Sequence, residues 1–275
     1  MALPTAEIGI FGGTGFYRFL SDLEEVTVQT PYGSPSARVT VGEMGGRRVA
    51  FLPRHGVHHE YPAHRVNYRA NLWAMRKLGV HRILAPCSVG SLQPQIKPGE
   101  FVLCDQLVDR TRGRGDTFFD GPVLNCISFA DPYCDELRSV VTEAATEEQI
   151  RLHPEGTVVV IQGPRFSTRA ESRWFSAAGW HVVNMTQYPE CVLARELGMC
   201  YSGVALVTDY DAGLEGIQGV EAVTMDVVFR VLAENIEKVR RLIRRAVPTI
   251  PAERSCSCGD AAVDPGTLPP LEGKP

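Results

Sequence analysis

Short apolar runs separated by glycine and proline dominate the first hundred residues. The run at 7–11 predicts a buried strand, and apolar or alternating segments at 26–28, 37–41 and 47–52 predict three more. Gly45 and Gly46 predict a hairpin turn between the last two. From 64 to 78 the apolar positions recur at helical spacing and stop at Gly79, which predicts a helix.

The rest of the chain continues the alternation of strands and helices. Buried strands are predicted at 83–85, 101–104, 157–162, 181–184 and 201–207, and a small-residue loop at 86–91. Pro189 and Gly198 suit the first turn and the end of a helix, and an apolar stripe predicts a long helix from about 220 to 247. This order of elements favours the α/β class.

Composition limits the organisation of the chain. With 275 residues, 44% hydrophobic and 22% charged, it has the ordinary values of a globular protein and the length for one large domain. After Pro248 the chain becomes rich in proline, glycine, serine and aspartate. We therefore expect one domain over residues 1–250 and a flexible tail over 251–275.

The net charge and the cysteines limit the classes of binding partner and the cellular compartment that we expect. A net charge of -4 disfavours nucleic acid and anionic membranes, and without a long apolar run or targeting segment we expect a cytoplasmic protein. Six of the eight cysteines lie in predicted core or site segments and are expected to be reduced. Cys256 and Cys258 stand in the predicted tail, where a redox or metal-binding role and an incidental pair both remain open.

Two polar clusters follow predicted strands. Asp209 and Asp211 come at the carboxyl end of a strand, where open α/β sheets bind ligands. Two carboxyls this close in a dry site favour one that keeps its proton near neutrality, which makes a general acid. Arg54 and His55 follow another strand and predict a phosphate grip, by a guanidinium fork and an imidazole donor. The nearby histidines match no zinc spacing, so we assign no metal.

Six motifs, in matching order between about residues 8 and 250, resemble one family. They are GGTGFY at 12–17, PRHG at 53–56, VNYRAN at 66–71, GPRFSTRAE at 163–171, NMT at 184–186 and DYD at 209–211. The chain in this respect resembles the methylthioadenosine phosphorylase branch of the trimeric purine nucleoside phosphorylases. The resemblance implies a three-layer α/β/α sandwich around a mixed, partly barrel-like central sheet, assembled as a homotrimer or a dimer of trimers.

The resemblance also implies site residues. Phosphate would be bound by Thr14, Arg54, His55, Cys87, Ser88 and Thr186. The nucleoside would be bound by Met185, Phe166, Ser167, Asp209, Tyr210, Asp211 and Met225. The family typically has Thr-Thr-Ala where this chain has Pro86-Cys87-Ser88, which leaves Ser88 as a donor but weakens Cys87, since a thiol donates poorly. Cys126 stands near the place of a family histidine.

The implied activity is that of a pentosyltransferase: reversible phosphorolysis of 5′-methylthioadenosine to adenine and 5-methylthioribose 1-phosphate. Asp209 would protonate or hydrogen-bond N7 of the purine, and Asp211 would accept from the 6-amino group. Inorganic phosphate is then a co-substrate, and no metal or organic cofactor is required. Two alternatives stay open: a broader purine nucleoside phosphorylase acting on 6-oxopurine or 5′-halogenated nucleosides, and a purine-binding module without turnover.

Overall fold

The computed structural model describes residues 3–12, 21–121, 125–214 and 223–261. Its helices are α1 (Tyr68–Lys77), α2 (Asp135–Glu147), α3 (Arg169–Ala177), α4 (Gln187–Glu196) and α5 (Met225–Thr249). Its strands are β1 (Ile8–Gly12), β2 (Ser21–Val26), β3 (Val39–Met44), β4 (Arg47–Pro53), β5 (Arg82–Ser91), β6 (Phe101–Leu103), β7 (Gln106–Arg110), β8 (Leu152–His153), β9 (Thr157–Ile161), β10 (Val182–Asn184) and β11 (Cys200–Tyr210).

All the described strands join one mixed sheet. Its main path runs β2-β3-β4-β1-β5-β10-β9-β7, and β11 branches off β5 to pair with β6, which pairs with β8. The sheet is mixed, as predicted, but it does not close into a barrel. Helices lie on both faces of the sheet: α1 and α4 pack in one hydrophobic core, and α2 and α5 in the other. This confirms the three-layer α/β/α arrangement.

Local signals explain where several elements begin and end. The Asn67 side chain accepts from the Ala70 N–H and caps α1, while Gly79 follows that helix with a φ of 87°. Helix α4 ends before Gly198, whose φ is 65°, as predicted. Helix α5 begins at Met225 and runs to Thr249; the start predicted near 220 lies outside the described residues. None of the described helices has both the length and the apolar character to span a bilayer.

Strand β5 decides where the sheet opens. The prediction of a strand at 83–85 followed by a loop at 86–91 is wrong, because β5 continues to Ser91 in parallel pairing with β11. Its other edge pairs with β1 only at residues 82–84 and with β10 only at Gly90 and Ser91. Among the described strands, none pairs with that edge from Ala85 to Val89. Pro86, which lacks an N–H, is tolerated beside this gap.

The segment after Ile250 lies against the domain as far as residue 261. The Arg82 guanidinium donates to the Glu253 carbonyl at 3.0 Å, and that of Arg254 donates to the Gly198 carbonyl at 2.7 Å. The Ser255 N–H donates to the Glu136 carboxylate at 2.7 Å. Polar groups of residues 253–255, in the segment that was predicted to be a flexible tail, therefore form hydrogen bonds with the domain. Residues 262–275 lie outside the described part of the chain.

Candidate active site

A cavity of about 360 Å³ opens beside the unpaired edge of β5. All but two of the predicted site residues lie on its wall: Arg54, His55, Cys87, Ser88, Phe166, Ser167, Met185, Thr186, Asp209, Asp211 and Met225. They come from the turn after β4, from β5, from the end of β11 and the residue after it, from the loop after β9, from the segment between β10 and α4, and from the first turn of α5. The fold therefore gathers the predicted phosphate and nucleoside residues in one place.

The two remaining residues have different outcomes. Thr14 lies outside the described residues. Tyr210 belongs to β11 between the two aspartates, and it is not among the described residues on the cavity wall. Because neighbouring residues of a strand point to opposite faces, its hydroxyl lies 3.5 Å from the Pro94 carbonyl instead. Tyr210 thus lies off the described cavity wall, and its contact with a nucleoside stays a prediction.

The Asp209 carboxyl is 6% exposed at the end of β11. Burial raises its pKa from 3.8 to about 7, a hydrogen bond from the Thr208 hydroxyl at 2.8 Å opposes this shift, and the charge of Asp211 adds to it. At neutral pH this carboxyl exchanges a proton readily. Gly90 faces it in the register of β5 with β11, and a Cβ there would lie 3.0 Å from Asp209 Oδ1.

Asp211 is the second acidic group and is 2% exposed. Burial raises its pKa, and the nearby hydroxyls of Ser172 and Ser167 reduce this effect. Its Oδ2 and the hydroxyls of Ser167 and Ser172 are buried close together, but none of the three makes a hydrogen bond of normal geometry with another described residue. Buried polar atoms are normally paired, so a ligand with hydrogen-bonding groups at this end of the cavity would satisfy them.

Arg54 is 1% exposed, and its Nε and Nη2 donate to the two carboxylate oxygens of Glu190 at 2.6 and 2.8 Å. Its Nη1 donates to the Pro86 carbonyl on the open edge of β5 at 3.1 Å. Burial alone would lower the pKa of Arg54, but the Glu190 carboxylate outweighs burial and raises it. The two-bond fork predicted for phosphate is therefore made with Glu190, and only the remaining Nη protons of Arg54 are available to an anion.

His55 has a defined tautomer in this structure. Its Nδ1 lies 2.8 Å from the Tyr61 carbonyl oxygen, which only accepts, so Nδ1 carries the proton. Burial and the Arg54 charge lower the pKa of His55 to about 4, and the ring is neutral at pH 7. Its Nε2 therefore presents a lone pair. His55 was predicted to donate to phosphate, but in this tautomer its Nε2 atom is a hydrogen-bond acceptor.

Helix α4 begins at the cavity. Thr186 is its N-cap, 8% exposed, with no hydrogen bond from its side chain to the helix backbone. Tyr188 has non-helical dihedral angles, with φ -108° and ψ 131°, so regular helix geometry begins only after it. Thr186 therefore offers the cavity its hydroxyl and not the end of a helix dipole. Ser88 adds backbone groups that point to the same edge of β5 as the Pro86 carbonyl two residues earlier. The Cys87 thiol accepts from the side chains of Asn184 and Gln187, both at 3.5 Å.

The other side of the cavity is apolar. Phe166 and Met185 face the first turns of α5, which contribute Met225 and Phe229. The Met185 side chain occupies space that only a glycine leaves open, since a Cβ on Gly163 would lie 2.6 Å from Met185 Sδ, and Gly163 has a φ of 66°. The cavity thus combines the polar groups of Arg54, His55 and Thr186, the acidic pair Asp209 and Asp211, and an apolar wall.

Two important residues were not predicted. Glu190 sits in an apolar stretch of α4, and the only sequence signal was a charged residue on a helix face that is otherwise buried. Thr208 directly precedes Asp209 and holds its carboxyl. The arrangement joins an anion site to an acid of pKa about 7, which suits transfer of a group to an anion while a leaving group takes a proton.

Comparison with known proteins gives a consistent picture. The sequence profile of the Phosphorylase superfamily matches residues 7–248. S-methyl-5′-thioadenosine phosphorylase of Mycobacterium tuberculosis is 55% identical over 251 residues, which are 91% of this chain and 92% of that protein. Purine nucleoside phosphorylase of Streptomyces coelicolor is 50% identical over 277 residues, or 96% of this chain and 98% of that protein.

A solved structure shows the same architecture. Methylthioadenosine phosphorylase from Schistosoma mansoni, in complex with adenine, superposes with a TM-score of 0.86 and 37% sequence identity. The alignment covers 91% of this chain and 93% of that one. The two curated relatives carry different substrate names, although both align with nearly the whole chain.

Proposed function

The chain belongs to the Phosphorylase superfamily, and from that premise we propose that it catalyses reversible phosphorolysis of 5′-methylthioadenosine to adenine and 5-methylthioribose 1-phosphate. It is a pentosyltransferase. The observation that carries this proposal is the meeting, in one cavity, of Asp209 with its pKa of about 7 and an anion site built by Arg54, His55 and Thr186. The relative from M. tuberculosis carries the name of this activity.

Phosphate binds at the start of α4. The Thr186 hydroxyl, the Ser88 N–H and the free Nη protons of Arg54 donate to its oxygens. The Nε2 atom of His55 accepts a hydrogen bond from the one hydroxyl of the phosphate dianion, which suits the neutral, Nδ1-protonated ring. The remaining oxygens keep their negative charge, and one of them attacks C1′ of the ribose. The Cys87 thiol contacts the anion without contributing a strong donor.

The nucleoside lies between the apolar wall and the aspartates. Phe166 packs against the purine face and Met185 against the ribose. The unpaired Asp211 Oδ2 accepts from the 6-amino group, and the Ser167 hydroxyl is placed to bind the same edge of the purine. The apolar side chains of Met225 and Phe229 suit a methylthio group better than a hydroxyl.

The chemical difficulty is the departure of the purine. As the bond from C1′ to N9 breaks, negative charge grows on the ring, and a proton delivered to N7 neutralises it. Asp209 supplies this proton in its neutral form. Positive charge on the ribose is stabilised by the adjacent phosphate, so orientation and electrostatics account for the remaining catalysis. No metal or organic cofactor enters this scheme, and phosphate is the co-substrate.

A second candidate function has a specific observation behind it. The S. coelicolor relative is named a purine nucleoside phosphorylase at 50% identity, and such an enzyme can accept 6-oxopurines. Ionised carboxylates repel a 6-oxo oxygen, whereas Asp209 and Asp211 together favour a 6-amino group. We therefore prefer an adenine nucleoside.

The test is a set of initial rates with methylthioadenosine, adenosine and inosine, each with and without phosphate. We expect phosphate-dependent release of adenine, fastest from methylthioadenosine. Fast cleavage of inosine alone would establish the second candidate. Purine binding without product would refute turnover, and release of adenine without phosphate would indicate hydrolysis.

We further propose that the protein is cytoplasmic and assembles as a homotrimer or a dimer of trimers. The family resemblance supports this assembly. Val57 and Tyr61, which are 51% and 39% exposed near the cavity, are apolar surface that a neighbouring subunit would cover. Native mass spectrometry tests the assembly, and a monomer at micromolar concentration would contradict it.

A further inference from the structure

Four cysteines from three separate parts of the chain meet far from the cavity. The Sγ atoms of Cys134, Cys200, Cys256 and Cys258 all lie within 4.8 Å of one another. Cys134 is the N-cap of α2, Cys200 opens β11, and the last two flank the start of the short 3-10 helix Ser257–Ala261. Three of the thiols are at most 3% exposed, and that of Cys256 is half-buried.

The spacing of the sulfur atoms fits one ion held at their centre. A zinc–sulfur bond of about 2.3 Å places the sulfurs of a tetrahedral site about 3.8 Å apart. The separation of Cys200 Sγ from Cys256 Sγ is 3.3 Å, and the widest separation in the group stays within 4.8 Å. Small movements of side chains therefore convert the cluster into a regular tetrahedron.

The surroundings suit a thiolate site. Four thiolates around a divalent ion carry a net charge of about -2, which needs nearby positive charge. The Arg195 guanidinium lines the cavity beside the cluster, and Cys134 sits at the positive end of the α2 dipole. Carboxylates of Asp131, Glu143 and Asp260 line the same cavity and attract cations to its mouth.

The backbone around the cluster is also fixed before any ion binds. The Cys134 N–H donates to the Tyr201 carbonyl at 2.9 Å, which joins α2 to β11. The hydrogen bonds of Arg254 and Ser255 hold the segment that carries Cys256 and Cys258. The four ligands are thus presented by a prepared site, which lowers the entropy loss on binding.

We propose that Cys134, Cys200, Cys256 and Cys258 form a structural tetrathiolate site for a soft divalent ion, with zinc as the occupant. Binding releases the four thiol protons and produces no redox change. The site has no open position for substrate, since all four ligands come from the protein. Its role is to fasten residues 256–258 to α2 and β11.

Two disulfide bonds are the competing use of the same four thiols. A disulfide brings two sulfurs to about 2.05 Å, and a bond between Cys256 and Cys258 would close a small strained ring. The four sulfurs instead form one group in which no separation exceeds 4.8 Å, and each of the four cysteines is free. This arrangement favours a shared ion over two separate bonds.

The experiment measures metal content in the full chain prepared under reducing conditions, and free thiols in the same chain prepared without a reducing agent. Plasma mass spectrometry should find about one zinc ion per chain in the wild type. Cys256→Ser/Cys258→Ser should retain only a small fraction of it. The matched control is Cys126→Ser, an exposed cysteine outside the cluster, which should keep its zinc. If the double variant does not fold, Cys256→Ser replaces it, because Cys256 is the least buried ligand.

Two results would overturn the proposal. The first is wild-type protein without stoichiometric metal that also takes up no more added Zn²⁺ than the double variant. The second is a thiol titration, in denaturant with chelator, that finds four free thiols where the sequence has eight cysteines. That count would establish two disulfides. Eight free thiols together with bound zinc support the tetrathiolate site.

Discussion

The two ends of strand β11 differ in what their buried side chains do for the protein. At its start, Cys200 belongs to a group of thiols that joins three parts of the chain. At its end, Asp209 is a carboxyl whose pKa burial raises to about 7. These residues are separated by roughly 30 Å of extended strand. One end connects segments, and the other holds a group in an environment that disfavours its charged form.

The comparison shows that residues which stabilise the fold and residues suited to chemistry lie at opposite ends of the same strand. A buried carboxyl lowers the free energy of unfolding once it ionises, so such a group persists where chemistry needs it. None of the four clustered cysteines is among the described residues on the cavity wall, so a substitution there removes packing and hydrogen bonds and no group of the cavity. Substitutions at the cavity end should therefore change turnover, and those at the thiol end should change stability alone.

The largest expected effect is that of Asp209→Asn on turnover. The amide keeps the shape and an acceptor for Thr208 but delivers no proton, so kcat for phosphorolysis at pH 7 should fall about 10²- to 10⁴-fold. In the wild type, kcat/KM should decline as pH rises through about 7, because it reports the free enzyme, in which the neutral acid is the active form. Steady-state kinetics across pH measures both. Equal kcat values for the two proteins would exclude Asp209 as the acid.

The next effect tests the anion end of the cavity. Glu190→Gln leaves the buried guanidinium of Arg54 without a counter-charge and should lower the free energy of unfolding by about 3–5 kcal/mol. Urea denaturation measures it. The control is Glu147→Gln, which removes the partner of Arg245 in a half-exposed ion pair and should leave the urea midpoint unchanged. If both variants unfold at the same urea concentration, the buried pair does not stabilise this end.

The third prediction concerns the stability of Asp209→Asn, which should rise, whereas Glu190→Gln should lower the free energy of unfolding. The folded-state pKa of Asp209 is raised, so its contribution to stability is complete below pH 3.8 and is lost as pH rises to about 7. Asn does not ionise, so Asp209→Asn does not lose stability over this pH range. At pH 8 the variant should therefore unfold with a free energy about 3–4 kcal/mol higher than the wild type, with little difference at pH 4. Urea titrations at both pH values test this, and a variant less stable at pH 8 would contradict it.

The smallest effect probes the thiol end. Arg254→Ala removes a 2.7 Å hydrogen bond to the Gly198 carbonyl next to β11 and should lower the free energy of unfolding by about 1 kcal/mol. Its kcat for phosphorolysis should equal that of the wild type. A marked fall in kcat would show that the two ends of β11 are coupled.

Local sequence patterns predicted the regular elements well, with one instructive failure. Apolar runs located β1, β4, β9 and β10, and Gly79 and Gly198 located helix ends, because these features are set by neighbouring residues. Pro86 was taken as the end of a strand, since proline usually interrupts a ladder. It lies in β5 because that edge has no partner strand there, and this depends on where β1 and β10 diverge.

The sequence predicted which residues would line the cavity better than it predicted which groups their side chains would contact. Most of the residues that the motif resemblance implied lie on the cavity wall, but the Arg54 fork that was expected to hold phosphate is occupied by Glu190. Residues 54 and 190 become neighbours only when α4 packs against α1 and β11, and no local pattern records that distance. The thiol group was hidden for the same reason, since 66 and 56 residues separate its three segments.

The gap beside β5 leaves main-chain groups of the strand facing the cavity. The Pro86 carbonyl already accepts from Arg54 on that edge, at 3.1 Å. A substitution at position 87 or 88 would exchange a side chain without removing these main-chain groups. We therefore expect this part of the strand to tolerate exchange between hydroxyl and thiol residues.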